Sequence, residues 1–470
     1  MLLPERSGVG YTQIHLKSTP DELTPDELIP DQASSDQNSQ GHSESSAIEA
    51  LLASPVELHS TTHHYSLENR YLRVTIDRTT GHIAELYSHL LQRNLLQAPG
   101  NQLQCFRDRG QYWDAWNIDP NYEQQPLTPP QLVTCEIQDQ GVLRCSVRVC
   151  YQFVQGTDES TQKSKTESTI EQIYYLDYES PWIGIDTTVN WQADQVLLKV
   201  AFPWDFESDL GTENLGENRS NNLDNPLAPL KCVTESACGV VERSTHPRND
   251  REAAQWEVPI HRWIDLSTPT PTDPWGVSIL NTGKYGADVK GSCLRLSLLR
   301  SPLWPDPYSD RGMHQFTYAL YPHAGGWESA QTVTFAHQLN CPLNVVPLPR
   351  EPKPERIAEL VAECVQNPSL PSSATLLRFG APNLHLMSFH PHPQQSGYVL
   401  RCYESAGQTT ALEFQISDRV EWDKTIVPLT GLEEIGVEEI TEERDDRFSG
   451  TDHRTVHPWQ IRSWLLRQVD

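Results

Sequence analysis

Positive charge is scarce. Lys and Arg number 36 against 63 Asp and Glu, which leaves a formal net charge of −27 over 470 residues. Sequence-independent nucleic-acid binding needs a basic face to neutralise phosphates, and docking on anionic lipid needs the same, so neither is expected. No apolar run approaches the roughly 18 residues that span a bilayer, so no membrane span is expected. Met1-Leu2-Leu3-Pro4-Glu5-Arg6 brings proline and charge before any apolar stretch, unlike a secretory leader. Ten cysteines include no CxxC pair and no dense framework, and they read as mostly reduced core residues. The expected compartment is the cytoplasm. A GxSxG elbow, a P-loop, a Rossmann glycine fingerprint and HExxH are all missing.

Helical periodicity is also rare. Only Pro354 to Gln366 spaces Ile357, Leu360, Val361 and Cys364 like a helix face, and thirty-five prolines oppose long helices. Short alternating segments abound instead: Tyr65–Asn69, Leu72–Ile76, Ile83–Tyr87, Val142–Tyr151, Ile170–Leu176, Trp182–Trp191 and Leu294–Leu299. Asp77 to His82 carries the turn chemistry between two of them. Many short strands without βαβ spacing predict an all-β chain of antiparallel sandwiches.

The composition divides the chain. Residues 1–18 contain one alternating strand, Gly8 to Leu16, expected to be the terminal strand of a preceding β-domain, because a lone strand must pair elsewhere. Residues 19–62 are expected to be a disordered acidic linker, since Thr19 to Ala50 holds eight acids and no Lys or Arg. A large β-sandwich is predicted over 63–347, a Pro-rich hinge with a short helix over 348–370, and a small C-terminal β-sandwich over 371–470. Gly397–Glu404 and Thr410–Ile416 read as strands bracketing an Ala-Gly turn, and the acidic run Glu433 to Asp446 as a solvated edge or loop.

Three groups offer chemistry. Tyr112, Trp113, Asp114, Trp116 and Asp119 place three aromatics and two acids within eight residues, which suits a carbohydrate: indoles stack on sugar faces while carboxylates accept from hydroxyls. The same tryptophans also read as anchors holding a loop to the core. Histidines at His63-His64, His390-Pro391-His392, His246 and His261 lack metal-ligand spacing. A glycosidic acid and nucleophile pair cannot be chosen among so many acids.

These residues resemble a known family. The Tyr112 to Asp119 segment is similar to the Tyr-Trp-Asp-Ala-Trp-Asp-Ile-Asp segment of alpha-mannosidases of glycoside hydrolase family 38. Leu67-Glu68-Asn69 through Gly81-His82-Ile83, Trp256 to Ser267, Leu298-Leu299-Arg300-Ser301-Pro302 and Phe316 to His323 resemble its large β-domain, and Arg401 to Gly407 with Pro458 to Arg462 its last small one. The resemblance implies a mutarotase-like large sandwich and a retaining mannosidase. It implies an Asp nucleophile and a zinc ion, both held in an N-terminal barrel and bundle that this sequence does not resemble. The expectation is therefore a C-terminal portion that lacks the nucleophile and zinc ligands. It would be inactive alone, acting on a mannose-containing glycan with a catalytic barrel encoded elsewhere as a possible partner chain. Tyr112, Trp113, Asp114, Trp116 and Asp119 would contact the glycan, and Asn117 stands where the family usually has Asp. The alternatives are a non-catalytic carbohydrate-binding or scaffolding module, a truncated remnant, or an epimerase using His246, His261, His314 or His323.

Overall fold

The computed structural model describes residues 9–12, 55–110, 112–156, 166–206, 230–268, 274–343, 373–416, 426–429 and 455–467. Backbone contacts divide the chain into two compact units, Leu51–Pro342 and Met1–Ala50 with Leu343–Asp470. The described part is overwhelmingly antiparallel sheet, as the alternation predicts.

The larger unit contains nine-, six- and five-stranded sheets. The nine-stranded sheet has Gly239–Arg243 at one edge and Gln131–Gln140 at the other, with Gly312–Ala324 paired between Trp275–Asn281 and Ile183–Trp191. The six-stranded sheet centres on Val196–Pro203, flanked by Cys293–Leu299 and Gln102–Arg107. Period-two alternation assigns each strand two faces. Along Val196–Pro203, Val196, Leu198, Val200 and Phe202 enter the main core, which they share with Ile185, Val189, Ile279 and Leu320 of the nine-stranded sheet. Leu197 belongs instead to a separate cluster with Phe106 and Tyr122, on the opposite face. That second face carries the candidate site.

Several polar groups inside the main core pair with one another, as burial favours. Asn101 Nδ2 donates to Gln172 Oε1 at 2.8 Å, and Gln172 Nε2 donates to the Tyr318 hydroxyl at 2.7 Å. The Asp77–His82 turn forms as its chemistry predicts. The Asp77 carboxylate accepts from the Thr79 and Thr80 amides at 2.7 and 3.0 Å, and Gly81 takes a positive φ of 73°.

The smaller unit has sheets of three, four and two strands. One expectation changes here. Val9–Thr12, expected to belong to a preceding β-domain, pairs with Ser373–Phe379 of this same chain, which occupies one of its edges. Gly397–Glu404 and Thr410–Ile416, the segments on either side of the Ala-Gly turn, are both strands, the second in two pieces, Thr410–Ala411 and Phe414–Ile416. Gly397–Glu404 lies between Leu384–Pro391 and Ile461–Arg467, while Thr410–Ala411 pairs with Thr455–Val456 and Phe414–Ile416 with Ser373–Phe379. Partners distant in sequence leave no trace in local alternation.

Two further differences concern the larger unit. Glu57–Ser60, inside the expected linker, is a strand whose buried Leu58 stands opposite Leu67. Thr332–Asn340 is a helix despite its β-branched start, because Thr332, Val333 and Ala336 are buried where it packs on Trp275–Asn281. The helix expected at Pro354 to Gln366, the acidic run Glu433 to Asp446 and residues 13–54 lie outside the described residues. No helix among the described residues is long and apolar enough to cross a membrane.

Candidate carbohydrate-binding site

The chain leaves the Gln102–Arg107 strand at Asp108 and loops over the second face of the six-stranded sheet before returning at Tyr122. The Asp108 amide donates to the Gln195 carbonyl at 2.9 Å. Trp113 adopts a left-handed φ of 57°, and its carbonyl accepts from the Trp116 and Asn117 amides at 2.7 and 3.1 Å, closing a tight turn. A Cβ on Gly110 would lie 3.1 Å from Asp114 Cα, so the loop doubles back closely there. At the far end, Ile118 and Trp256 pack against Phe106, Tyr122 and Leu197, and Trp256 Nε1 donates to the Ile118 carbonyl at 3.2 Å.

The loop is held by carboxylates and a guanidinium, not by its tryptophans. Arg300 Nε donates to Asp108 Oδ2 at 2.7 Å, and its terminal nitrogens donate to the carbonyls of Asp114, Ala115 and Asn117 at 3.0, 3.2 and 2.8 Å. Asp114 Oδ2 accepts from the Leu303 amide at 2.7 Å. Asp119, 9% exposed, accepts from the Asn121 amide at 2.8 Å. Burial pushes the Asp108 carboxyl above its ordinary range, and Arg300 opposes that rise.

The expected site residues therefore separate into two roles. Trp113 and Trp116 are 63% and 64% exposed, so they do not anchor the loop in the core; Tyr112 is exposed as well. Asp114 and Asp119 shape the backbone, each with one oxygen occupied by an amide. Asn117 Nδ2 donates to the Tyr112 carbonyl at 3.3 Å, a bond that a carboxylate at this position cannot donate. The structure adds Trp304 and Arg300. Trp304 lies with its ring centroid 5.7 Å from that of Trp113 and 5.4 Å from that of Trp116, which are themselves 6.4 Å apart. Three exposed indoles thus share one surface. Leu298-Leu299-Arg300-Ser301-Pro302 stood out as a motif, but nothing local indicated that it braces a loop almost two hundred residues earlier.

Next to this loop the second face buries a charge network. Lys199, with no exposed side chain, contacts Asp288 Oδ2 at 2.7 Å, Ser297 Oγ at 2.7 Å and the Glu257 carboxylate. Arg295 Nε donates to Asp288 Oδ1 at 2.8 Å, its terminal nitrogen donates to the Tyr122 hydroxyl at 3.0 Å, and it also pairs with Glu123, which Lys290 pairs in turn. Three cations meet three carboxylates, so the group is neutral and structural.

His323, Asp265 and Ser278 superficially suggest a nucleophile and base. His323 Nε2 and Ser278 Oγ lie 2.7 and 2.8 Å from the same Asp265 oxygen, and Ser278 Oγ lies 2.9 Å from Thr332 Oγ1. All four residues are buried. They tie the Thr332–Asn340 helix to the sheet, with no face for a substrate. Among the other histidines proposed as a base, His246 Nδ1 is 3.1 Å from Thr245 Oγ1 and His314 Nε2 is 2.8 Å from the Asp310 carbonyl. His261 is partly exposed near Glu235, but Arg262 already pairs that carboxylate.

The zinc implied by resemblance does not fit the described residues, in which no three His, Cys, Asp or Glu side chains converge as ligands. His64 stands 3.9 Å from Asp77, and His392 Nδ1 accepts from the Gln394 and Gln395 amides.

Residues 67–308 match the model of the glycosyl hydrolases family 38 C-terminal domain, and residues 383–464 that of the family 38 C-terminal beta sandwich domain. Alpha-mannosidase 2C1 of Mus musculus is 31% identical over 411 residues, covering 85% of this chain and 33% of the mouse protein. Alpha-mannosidase G of Dictyostelium discoideum is 26% identical over 405 residues, covering 85% and 32%. The crystal structure of an alpha-mannosidase from Enterococcus faecalis V583 superposes with a TM-score of 0.59 at 14% identity, over 86% of this chain and 42% of that one. The chain thus spans about a third of the length of these curated relatives.

Proposed function

Because the chain belongs to glycosyl hydrolase family 38, as that family's C-terminal region, we propose that it is the C-terminal portion of an alpha-mannosidase, whose Tyr112–Asp119 loop contacts a terminal alpha-mannoside. The observation that carries this is the set of exposed indoles on a loop fixed by Arg300. An indole outside the core costs apolar exposure, and a pyranoside face covers it while leaving the sugar hydroxyls to polar neighbours. Tyr112, Trp113 and Trp116 supply stacking surface; Asp114 and Asp119 keep the turn in shape. A retaining mechanism would draw its nucleophile and zinc from a catalytic barrel outside the described residues. The nine described cysteines are all free, which supports a reducing compartment, the cytoplasm.

The second reading, a carbohydrate-binding module without chemistry of its own, is favoured by the occupied loop carboxylates. Titrating the full chain with an aryl alpha-mannoside while assaying hydrolysis separates the two. Binding with turnover gained only once a family 38 catalytic barrel is added supports the enzyme portion, and binding without turnover even then supports the module. In either case Trp116→Ala weakens binding by roughly fivefold, about 1 kcal/mol of lost stacking. Undiminished binding by that variant removes the loop from the site.

A further inference from the structure

We propose that Arg300 is a positioning residue that assembles Trp113, Trp116 and Trp304 into one indole platform, with Trp304 as a further stacking surface for the sugar; the sugar itself rests on the mannoside reading above.

Arg300 is fixed from both ends. Its amide, with that of Ser301, donates to Asp310 Oδ2 at 3.1 and 3.0 Å, so the backbone leading to Trp304 is held. Its guanidinium spreads over four acceptors, Asp108 and the carbonyls of Asp114, Ala115 and Asn117. Those carbonyls end the tight turn that presents Trp113 and Trp116. A planar fork with five donors reaches such a set at once, whereas an ammonium on a flexible stem is a single point. Three residues further on, the Leu303 amide binds Asp114 Oδ2, and Trp304 follows directly. The same arginine therefore sets the backbone that bears two indoles and belongs to the segment that bears the third. Centroid separations of 5.4 to 6.4 Å make the three rings a contiguous surface on the scale of a sugar ring. All three rings are at least 49% exposed, so neither burial nor the core enforces their mutual placement.

Coupled indoles give an exciton couplet in circular dichroism, a signature that a purely structural role for Arg300 leaves untouched. Trp304→Phe, a change at an exposed ring, identifies the platform's share of the couplet by removing it. An unchanged couplet in Trp304→Phe overturns the platform. Arg300→Lys keeps a cation facing Asp108 and is expected to stay folded yet lose that same share; a retained couplet overturns the positioning role. If Arg300→Lys does not fold, the double variant Asp108→Asn/Arg300→Gln removes the buried charge together with its partner and is judged in the same way. Calorimetry with alpha-linked mannobiose forms a separate arm. Binding weakened about threefold in Trp304→Phe, which keeps a smaller aromatic face, and about tenfold in Arg300→Lys is expected, and undiminished binding in Trp304→Phe overturns its stacking role. Absence of mannobiose binding to the unsubstituted chain overturns the mannoside reading and the sugar-stacking role, while the couplet still decides whether Arg300 positions the rings.

Discussion

Lys199 Nζ lies 2.7 Å from Asp288 Oδ2, with the lysine side chain wholly removed from solvent on the face of the six-stranded sheet that carries the Asp108–Tyr122 loop. A buried cation persists only where carboxylates and hydroxyls replace its hydration, and Asp288, Glu257 and Ser297 do so here. Lys199→Met removes the cation, leaving Glu257 with the Ser297 hydroxyl and Asp288 with Arg295 and Tyr122. The expected loss is about 3–5 kcal/mol of stability, typical of breaking a buried pair from one side. Urea unfolding of the two proteins measures it, and a loss below 1 kcal/mol would contradict the burial argument.

The pH dependence follows from the same cluster. Burial pushes the Asp288 carboxyl up, but the Lys199 and Arg295 charges outweigh it and hold Asp288 below its ordinary range. A carboxyl depressed in the folded state contributes stability that is present above its unfolded pKa, about 4, and lost as pH falls through the folded value. Asp288→Asn should therefore be clearly less stable than the parent at neutral pH. The gap should narrow as pH drops below about 4. Unfolding series at several pH values test this, and a gap independent of pH would refute it.

Gly81 closes the Asp77–His82 turn against the Arg144–Gln155 strand. Its φ of 73° is left-handed, and a Cβ there would lie 2.5 Å from Val149 Cγ1 and closer still to the Tyr151 hydroxyl. Gly81→Ala is expected to cost about 1–2 kcal/mol for the backbone and about 1–3 kcal/mol for overpacking. Thermal unfolding compared with Gly156→Ala, where a Cβ meets nothing within 4 Å, isolates the effect.

Ser278 is expected to be inert as a nucleophile. A fluorophosphonate should leave it unlabelled in the native protein, because Ser278 and His323 share one Asp265 oxygen in a sealed site. Ser278→Ala should instead lower stability by about 1–3 kcal/mol, the range for disrupting buried polar partners. Labelling of Ser278 in the folded chain would overturn this assignment.

Much of the proposed site is legible locally. Composition alone marks Tyr112, Trp113 and Trp116 as a sugar-compatible group, and the loop leaves all three exposed. Asp114 and Asp119 shared that signal, yet bind backbone amides, because a tight loop has amides to satisfy before it has a ligand. Trp304 carries no such signal, since its neighbourhood in sequence holds no second indole.

The sequence by itself determined the all-β class, the antiparallel pairing of neighbours such as Leu72–Asp77 with Ile83–Ser88, and the family. Period-two alternation, turn chemistry and motif order are properties of adjacent residues, so they survive without a fold. Only the tertiary structure decided that Val9–Thr12 pairs with Ser373–Phe379, that Lys199 is buried among carboxylates, and that Arg300 braces a loop formed by residues 108–117. Each of these joins groups more than fifty residues apart. Backbone amides, buried charges and guanidinium forks take the partners that the closed chain brings within hydrogen-bond reach, and local sequence carries no record of which those are.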